Sequence, residues 1–560
     1  MQENRKLIGR VAAIEKAPTT MDRFTFWTAP ELQLHAFDIV KVEHVDGSYT
    51  FGAIEQISHI TDAQSFLTGY ISSDFGNPDA KAAPTLRVSM NYAEASVSFN
   101  TKNIYTPVLN DSPVYLASAE EITQALGLDK IRNPIVCGSL TMYGGTPEEI
   151  TLPVKMNAAF MLGPEGAHLN ISGISGLAAK TSYAMFLMKA VQERCMRLSD
   201  EEDSTAFVIF NVKGSDLMAI DEPNDSLDEA ERKRYKALGL SAEPFKHVKY
   251  YIPYYQRRPS TYLPADDVDE YISGGRMLKF KYCYEADRES LGMLFTEVDD
   301  PTQSMEAIIS RIVDENDSVF SDIDTWETFR KTVNELSKSS KVSGRTPDEI
   351  SVQSWRKFAR IINKALKNDE MFANRLTPRN HECRLADEMK TIKANEVRVI
   401  DIAKLPEDKQ AFVFGDVLKT IYGLKLGEYD DDPCINPPSR IVIFIDELNK
   451  YASKDARKDS PVLREILDVT ERGRSLGVIM FGAEQFRSAI HSRVAGNCAV
   501  HAYGRTNILE ASGKDYSHFP AVYRNILVRL EQGEYLLQSP VFRTLLRVNF
   551  PRPVYRQFKD

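Results

Sequence analysis

Long apolar runs are missing from this chain of 560 residues. Nothing approaches the roughly 20 apolar residues that cross a bilayer. No apolar signal core follows Met1-Gln2-Glu3-Asn4-Arg5-Lys6, so a secretory leader is not indicated. A cytoplasmic protein with no membrane partner is expected. Cysteine is scarce: Cys137, Cys195, Cys283, Cys383, Cys434 and Cys498 are scattered, and no two sit at metal-ligand spacing. That argues against a zinc site and against a disulfide framework. A basic excess is missing too. The net charge of -10 speaks against a surface that coats nucleic acid non-specifically. It leaves room for a local basic channel, because phosphate contacts depend on where individual Lys and Arg stand. There is no repeat of roughly 20–50 residues and no low-complexity tail. What remains is an ordinary soluble composition, 43% hydrophobic and 26% charged, over a length that suits about two or three domains.

The first 110 or so residues carry short alternating apolar runs: Leu7-Ile8-Gly9-Arg10-Val11, Arg23-Phe24-Thr25-Phe26-Trp27, Asp38-Ile39-Val40-Lys41-Val42 and Leu86-Arg87-Val88-Ser89-Met90. Turn residues such as Asp46-Gly47 separate them. Regular short strands with turn signals predict a small β-barrel. Gly144-Gly145-Thr146-Pro147 reads as a linker, so residues 1–150 are expected to hold the barrel and its connection.

The most informative stretch runs from His168 to Ser182, HLNISGISGLAAKTS. The apolar run Ala159-Phe160-Met161-Leu162 lies upstream and the apolar helical segment Tyr183 to Val191 lies downstream. Strand, glycine-bearing turn and helix make a phosphate cradle from backbone N–H groups and the positive helix end. Lys180 would reach the β/γ-phosphates and the Thr181 hydroxyl would ligate Mg²⁺. The usual pattern wants glycine where Ala179 stands. Sliding one residue makes Gly173 and Gly176 the loop glycines, with Ser175, Ala178, Ala179 and Ser182 completing the nucleotide-contacting set. A buried strand and helix joined by a small-residue turn would give much the same pattern.

Arg440-Ile441-Val442-Ile443-Phe444-Ile445-Asp446-Glu447 adds a second signal. Its apolar run suits a strand buried on both faces of a parallel sheet. Carboxylates at the C-terminal end of such a strand stand where open α/β sheets bind ligands. In a P-loop ATPase the first would hold Mg²⁺ through water and the second would polarise the attacking water. Asp446 would also suit a helix cap, which leaves Glu447 and the upstream Lys-Thr loop unexplained.

Further strands are predicted at Ala206–Val212, Val397–Ile402, Gly477–Gly482 and Ala499–Tyr503, with helices near Lys409–Tyr422 and Leu463–Leu476. Alternating strand and helix predicts a parallel sheet with helices on both faces. Between them, residues 216–390 are charged and helical in pattern, as at Met305–Val313 and Ser354–Leu366. They are expected to form a helical insertion in a core made of residues 151–215 and 391–560.

This order of segments resembles the HerA–FtsK class of ring-forming P-loop DNA motors, HerA most of all, over nearly the whole length. The residues that carry it are the barrel, Gly173 to Thr181, Asn211-Val212-Lys213-Gly214-Ser215-Asp216, Ile445-Asp446-Glu447, Glu471 to Val478, Ala483-Glu484-Gln485, and Tyr535-Leu536-Leu537-Gln538 with Phe542-Arg543-Thr544. The resemblance implies a RecA-like P-loop ATPase core, an N-terminal barrel of the HerA–ATP-synthase type, and ATP with Mg²⁺ as cofactors. It implies Lys180 and Thr181 on the triphosphate and Mg²⁺, Asp446 supporting Mg²⁺, and Glu447 as the catalytic carboxylate. It also implies Gln485 as γ-phosphate sensor or water orienter, and Arg474, then Arg472, as the arginine finger reaching a neighbouring subunit. Cations near a helix C-terminus are favoured anyway, so a solvated helix end is the competing view of the two arginines. A loop-capping amide competes for Gln485.

Two departures stand out. Ala179 places a Cβ where glycine is usual, which could crowd the phosphate or resist a positive φ. Asn211 and Lys213 stand where the family carries an acidic residue, with Asp216 further on. In a homo-hexameric ring, DNA would pass through a central pore gripped by Lys450, Lys454, Arg457 and Lys458 with Tyr451, or that loop is plainly solvated. Arg232-Lys233-Arg234 reads as a solvated helix face. The functional expectations are an ATP-driven DNA translocase or helicase-type hexamer in DNA processing or anti-phage defence, or a nucleotide-binding ring scaffold for a nuclease or sirtuin-type effector. A conjugation-type coupling ATPase is weakened by the lack of a membrane segment.

Overall fold

The computed structural model describes residues 6–72, 75–76, 88–176, 179–198, 203–338, 350–429, 431–432, 435–457 and 459–558. The chain divides into two compact units: Met1–Asn157 with Asn507–Phe550, and Ala158–Thr506 with Pro551–Asp560.

In the first unit the alternating runs close on themselves. Strands β1 (Leu7–Val11), β2 (Arg23–Thr28), β3 (Ile39–Glu43), β4 (Tyr49–Thr61), β5 (Ser89–Asn100) and β6 (Pro113–Leu116) form a barrel in the order β1-β2-β5-β4-β3-β6. Every neighbouring pair is antiparallel. Period-two alternation explains it: Phe24 and Phe26 of β2 point inward with Ile8, Val11, Val42 and Ile54, while Arg23 and Trp27 face out. Gly9 is required in β1, because a Cβ there would meet the Trp27 carbonyl oxygen at 2.0 Å. Leu86 and Arg87 of the fourth predicted run lie outside the described residues. Strands β7 (Pro134–Met142) and β8 (Ile150–Asn157) pair antiparallel. The stretch expected to be a linker is the turn of this hairpin, where the Gly145 N–H donates to Glu149 Oε2 at 2.8 Å.

The second unit is built on a sheet whose strands all run parallel. Its strands are β9 (Leu169–Ser172), β10 (Thr205–Asn211), β11 (Val248–Pro253), β12 (Met277–Phe280), β13 (Glu382–Cys383), β14 (Val397–Asp401), β15 (Arg440–Ile445), β16 (Val478–Glu484) and β17 (Val500–Tyr503). Their order is β13-β12-β11-β14-β10-β15-β16-β9-β17. All residues of β10, β14 and β16 are buried, so both faces are covered, as their continuous apolar runs require. Helices Lys180–Leu198, Glu407–Leu426 and Pro461–Leu476 alternate with these strands. This is the expected α/β core of parallel strands alternating with helices, and the N-terminal strands close into the expected barrel.

Three expectations change. Ala158–Met161 is a short helix, and the strand that leads into the loop is β9; Ala, Phe, Met and Leu carry little of the β-branching that favours a strand. The stretch 216–390 is not purely helical, since β11, β12 and β13 extend the sheet. Its helices Ser304–Val313, Trp326–Leu336 and Val352–Leu366 share one apolar core with the sheet, through Ile308, Trp326, Phe329, Trp355, Phe358 and Ile362. Finally, Asn507–Phe550 groups with the N-terminal unit. There β18 (Glu534–Gln538) pairs with β19 (Leu546–Asn549), and Asn549 of β19 meets Ser139 of β7.

Candidate nucleotide site

Parallel strands end at one edge, and that edge gathers the site. The register sets Ser172 of β9 beside Glu484 of β16, and Ile445 of β15 between Phe210 of β10 and Gly482 of β16. The loop after β9 therefore faces the acidic end of β15, although 265 residues separate Thr181 from Asp446.

The loop folds around its lysine. Lys180 opens the helix and is buried. Its Nζ donates to the Gly173 carbonyl at 2.8 Å and to Ser175 Oγ at 3.2 Å. The Gly173 N–H donates to the Glu484 carbonyl at 3.2 Å, which ties the loop to β16. Gly176 turns through φ +80° in open space. Ala179 takes φ +47°, so the position that usually holds glycine keeps a left-handed backbone, and the alanine is accommodated with strain. Ser182 is half-buried on the first helical turn. Ala178 lies outside the described residues. Burial lowers the Lys180 ammonium below its ordinary value; Asp446, Glu484 and Glu447 oppose the drop and Lys213 adds to it.

The acidic end meets the loop directly. Thr181 Oγ1 donates to Asp446 Oδ2 at 3.1 Å, and the Glu447 N–H donates to Asp446 Oδ1 at 2.9 Å. Glu447 sits at φ +59°, a strained backbone that concentrates at functional sites. Mg²⁺ takes oxygen ligands, and the Thr181 hydroxyl and Asp446 carboxylate are two oxygens already side by side. These residues fit the ion.

Lys213 is the residue whose role sequence reasoning missed. It follows β10, the neighbour of β15, and its Nζ lies 2.5 Å from Glu447 Oε1 and 3.8 Å from Asp446 Oδ2. A lysine placed just past a buried strand was the available signal. Asn211, at the end of the same strand, donates to Asp401 Oδ1 at 2.9 Å and to the Gly214 carbonyl at 2.9 Å. Asp401 ends β14 and is fully buried, which pushes its carboxyl up to about 6. Asn211 of β10 thus meets a carboxylate on the adjacent strand.

Glu484 is a second unforeseen feature. It is wholly buried at the end of β16, and neither carboxyl oxygen has a hydrogen-bond partner among the described residues. Burial pushes it up to about 8 against the pull of nearby Asn170, Arg487 and Lys180. Gln485, next along, is half-buried at the same edge.

The remaining expected residues are spread out. Arg472 and Arg474 are exposed near the C-terminal end of the helix Pro461–Leu476, whose chain continues into the start of β16. They stand at the opposite end of that strand, roughly 20 Å of backbone from Glu484. Arg474 donates to the Glu165 carbonyl at 3.4 Å. In the proposed grip, Lys450 pairs with Glu407 at 3.3 Å, Arg457 pairs with Asp299 at 3.2 Å, and Lys454 is exposed. Lys458 lies outside the described residues. Tyr451 is buried with its ring 4.8 Å from Phe414, so it belongs to the core and offers no stacking face. Arg234 pairs with Glu231 at 2.8 Å on the helix Glu229–Ala237.

No family model and no curated protein matches the chain. Among solved structures it is similar to VirB4 of Thermoanaerobacter pseudethanolicus, at 11% identity over 75% of this chain and 97% of that one, with a TM-score of 0.42. It is also similar to the bacterial conjugative coupling protein TrwB, at 11% identity over 70% of this chain and 87% of that one, TM-score 0.42. A third is TrwB in complex with ADP and Mg²⁺, at 11% identity over 70% and 88%, TM-score 0.39. Among the described residues no helix is long and apolar enough to cross a membrane.

Proposed function

We propose that this chain is an ATP-hydrolysing ring motor of the HerA type that moves DNA, works as a homo-hexamer, and serves DNA processing or anti-phage defence beside a nuclease or sirtuin-type effector. The observation that carries the nucleotide chemistry is the 3.1 Å contact of Thr181 with Asp446, with Lys180 held inside the loop. The HerA resemblance supplies the ring, the DNA and the effector.

In this reading Lys180 neutralises the β/γ-phosphates, and the loop N–H groups orient them. Mg²⁺, held by Thr181 and Asp446, would supply charge that offsets the transferring phosphoryl oxygens. Glu447 orients the attacking water and accepts its proton, and Gln485 stands at the next strand end to position the same water. Arg474, with Arg472 as the alternative, acts on the nucleotide of a neighbouring subunit, since both lie at the far end of β16 from their own loop. DNA-stimulated ATP turnover is expected in the wild type and is expected to vanish in Lys180→Ala and Glu447→Gln. Turnover surviving both substitutions would overturn the site.

A second reading, the ring scaffold, is favoured by the Lys213–Glu447 ion pair, which holds the water-activating carboxylate. A ring that assembles normally by light scattering yet turns over no ATP, with or without DNA, would decide for it.

A further inference from the structure

The loop after β11 has a composition unlike the rest of this acidic chain: Tyr254-Tyr255-Gln256-Arg257-Arg258-Pro259-Ser260-Thr261-Tyr262. It leaves the same sheet edge as the nucleotide loop, over β12, β11 and β14. Three tyrosines there each carry a cation against the ring. Arg258 stacks on Tyr255 at 3.8 Å, Lys281 covers Tyr254 at 3.6 Å, and Lys404, just past β14, covers Tyr262 at 4.6 Å.

Acidic neighbours are present, and their burial decides the sign of the surface. Arg257 pairs with Glu370 at 3.5 Å and Arg258 with Asp369 at 3.6 Å. The carboxylate side chains are 22% and 4% exposed, whereas the guanidinium side chains are 90% and 51% exposed. The acids sit behind, anchoring the cations from the protein side. Asp369 also accepts from the Tyr255 hydroxyl at 3.1 Å and from Lys409. What faces solvent from this loop is the two guanidinium groups, Gln256, Pro259 and the half-exposed ring of Tyr262, whereas Lys281 is buried against Glu382 at 2.7 Å. Aromatic faces interleaved with cations suit a polymer of stacked bases and phosphates without sequence preference. Duplex DNA hides its base faces, so a stacking platform selects the single strand.

We infer that the loop Tyr254–Tyr262, with Lys404, is a binding platform for single-stranded nucleic acid, on which Tyr262 stacks a base and Arg257 and Arg258 hold phosphates. The inference rests on the DNA-handling reading for its class of polymer, and it assigns that contact to residues other than the loop Lys450–Asp459.

The test is fluorescence anisotropy of labelled oligo(dT) with the full-length protein, without nucleotide, across a salt series. Tyr262→Ala is expected to weaken binding about 5- to 100-fold, the loss of one stacked base, and Tyr262→Phe to keep it. Arg257→Ala is expected to reduce the slope of log K against log salt by about 0.7, one phosphate contact on a single strand. Both side chains are exposed, and unchanged thermal midpoints would show intact folding. Wild-type affinity in Tyr262→Ala and Arg257→Ala, no oligo(dT) binding by the wild type, or tighter binding of duplex would each overturn the platform. ATP turnover measured in parallel separates the two readings. Binding without turnover removes the motor and keeps the platform, and DNA-stimulated turnover with unaffected variants does the reverse.

Discussion

Ala179 offers a test whose size follows from one torsion angle. At φ +47° an L-residue lies about 1–2 kcal/mol above its right-handed form. Glycine carries no such strain, but it returns roughly 0.5–1 kcal/mol through the freer unfolded chain. Ala179→Gly should therefore stabilise the folded protein by about 1 kcal/mol or somewhat less. In a unit of this size that is a rise of about 1–3 °C in thermal midpoint. The same angle constrains affinity. The strain is present in the nucleotide-free chain, and if the loop keeps its backbone on binding, relieving it shifts free and bound states equally. Nucleotide affinity should then change by less than about twofold, because a perturbation common to both states moves no equilibrium. Differential scanning fluorimetry and a titration with a fluorescent ATP analogue read the two quantities. A lowered midpoint, or an affinity gain of more than about tenfold, roughly 1.4 kcal/mol, would refute the reasoning. Either would mean that binding changes the angle, or that the methyl group itself meets the phosphates.

Other expectations concern groups around the loop. Burial holds Glu484 protonated up to about pH 8, against 4.5 ordinarily, so the folded chain binds this proton more tightly than the unfolded one. Its contribution to stability is complete below the ordinary value and is lost as pH rises through that window. Glu484→Gln cannot ionise, so its thermal midpoint should gain on the wild type from acid to mildly alkaline pH; parallel pH profiles would contradict this. Lys213→Met should lower the Mg²⁺ concentration needed for nucleotide binding. The effect should stay within about fivefold, because the ion pair is 44% and 34% exposed and such pairs are worth about 1 kcal/mol at most. An increased Mg²⁺ requirement would instead place Lys213 on the nucleotide.

How much of this was legible in the sequence depends on burial. Strands β10, β14, β15 and β16 are covered on both faces, and that demand writes itself as unbroken apolar runs. The loop strand β9 is harder to read, because Asn170 and Ser172 are polar yet buried among its four residues. The neighbouring run Ala159–Leu162 carries the stronger apolar signal, although most of it lies in the short helix Ala158–Met161. β12 and β13 are short strands toward one edge of the sheet, and four and two residues leave little periodic signal. The Lys180, Thr181 and Asp446 cluster was readable because glycines, a lysine and paired carboxylates have few other reasons to stand at strand ends. Lys213 was not, because a lone lysine acquires meaning only when the fold sets β10 beside β15. The tyrosine-and-arginine loop after β11 was hidden for a related reason: its cations Lys281 and Lys404 arrive from separate strand ends.

The position of β9 also shapes how the protein is made. Both of its neighbours, β16 and β17, are synthesised some 300 residues later in the chain than β9 itself, at Val478 and Val500 against Leu169. A ribosome adding about 5–20 residues per second exposes the loop after β9 tens of seconds before any strand exists to pair with β9. Nucleotide therefore cannot stabilise an early half of the molecule, and the loop strand must slot between two late arrivals. A chain truncated between Asp446 and Val478 would carry Lys180, Thr181 and Asp446 with no assembled site. Limited proteolysis of stalled nascent chains should find the segment around Leu169–Lys180 cleavable until β17 has emerged.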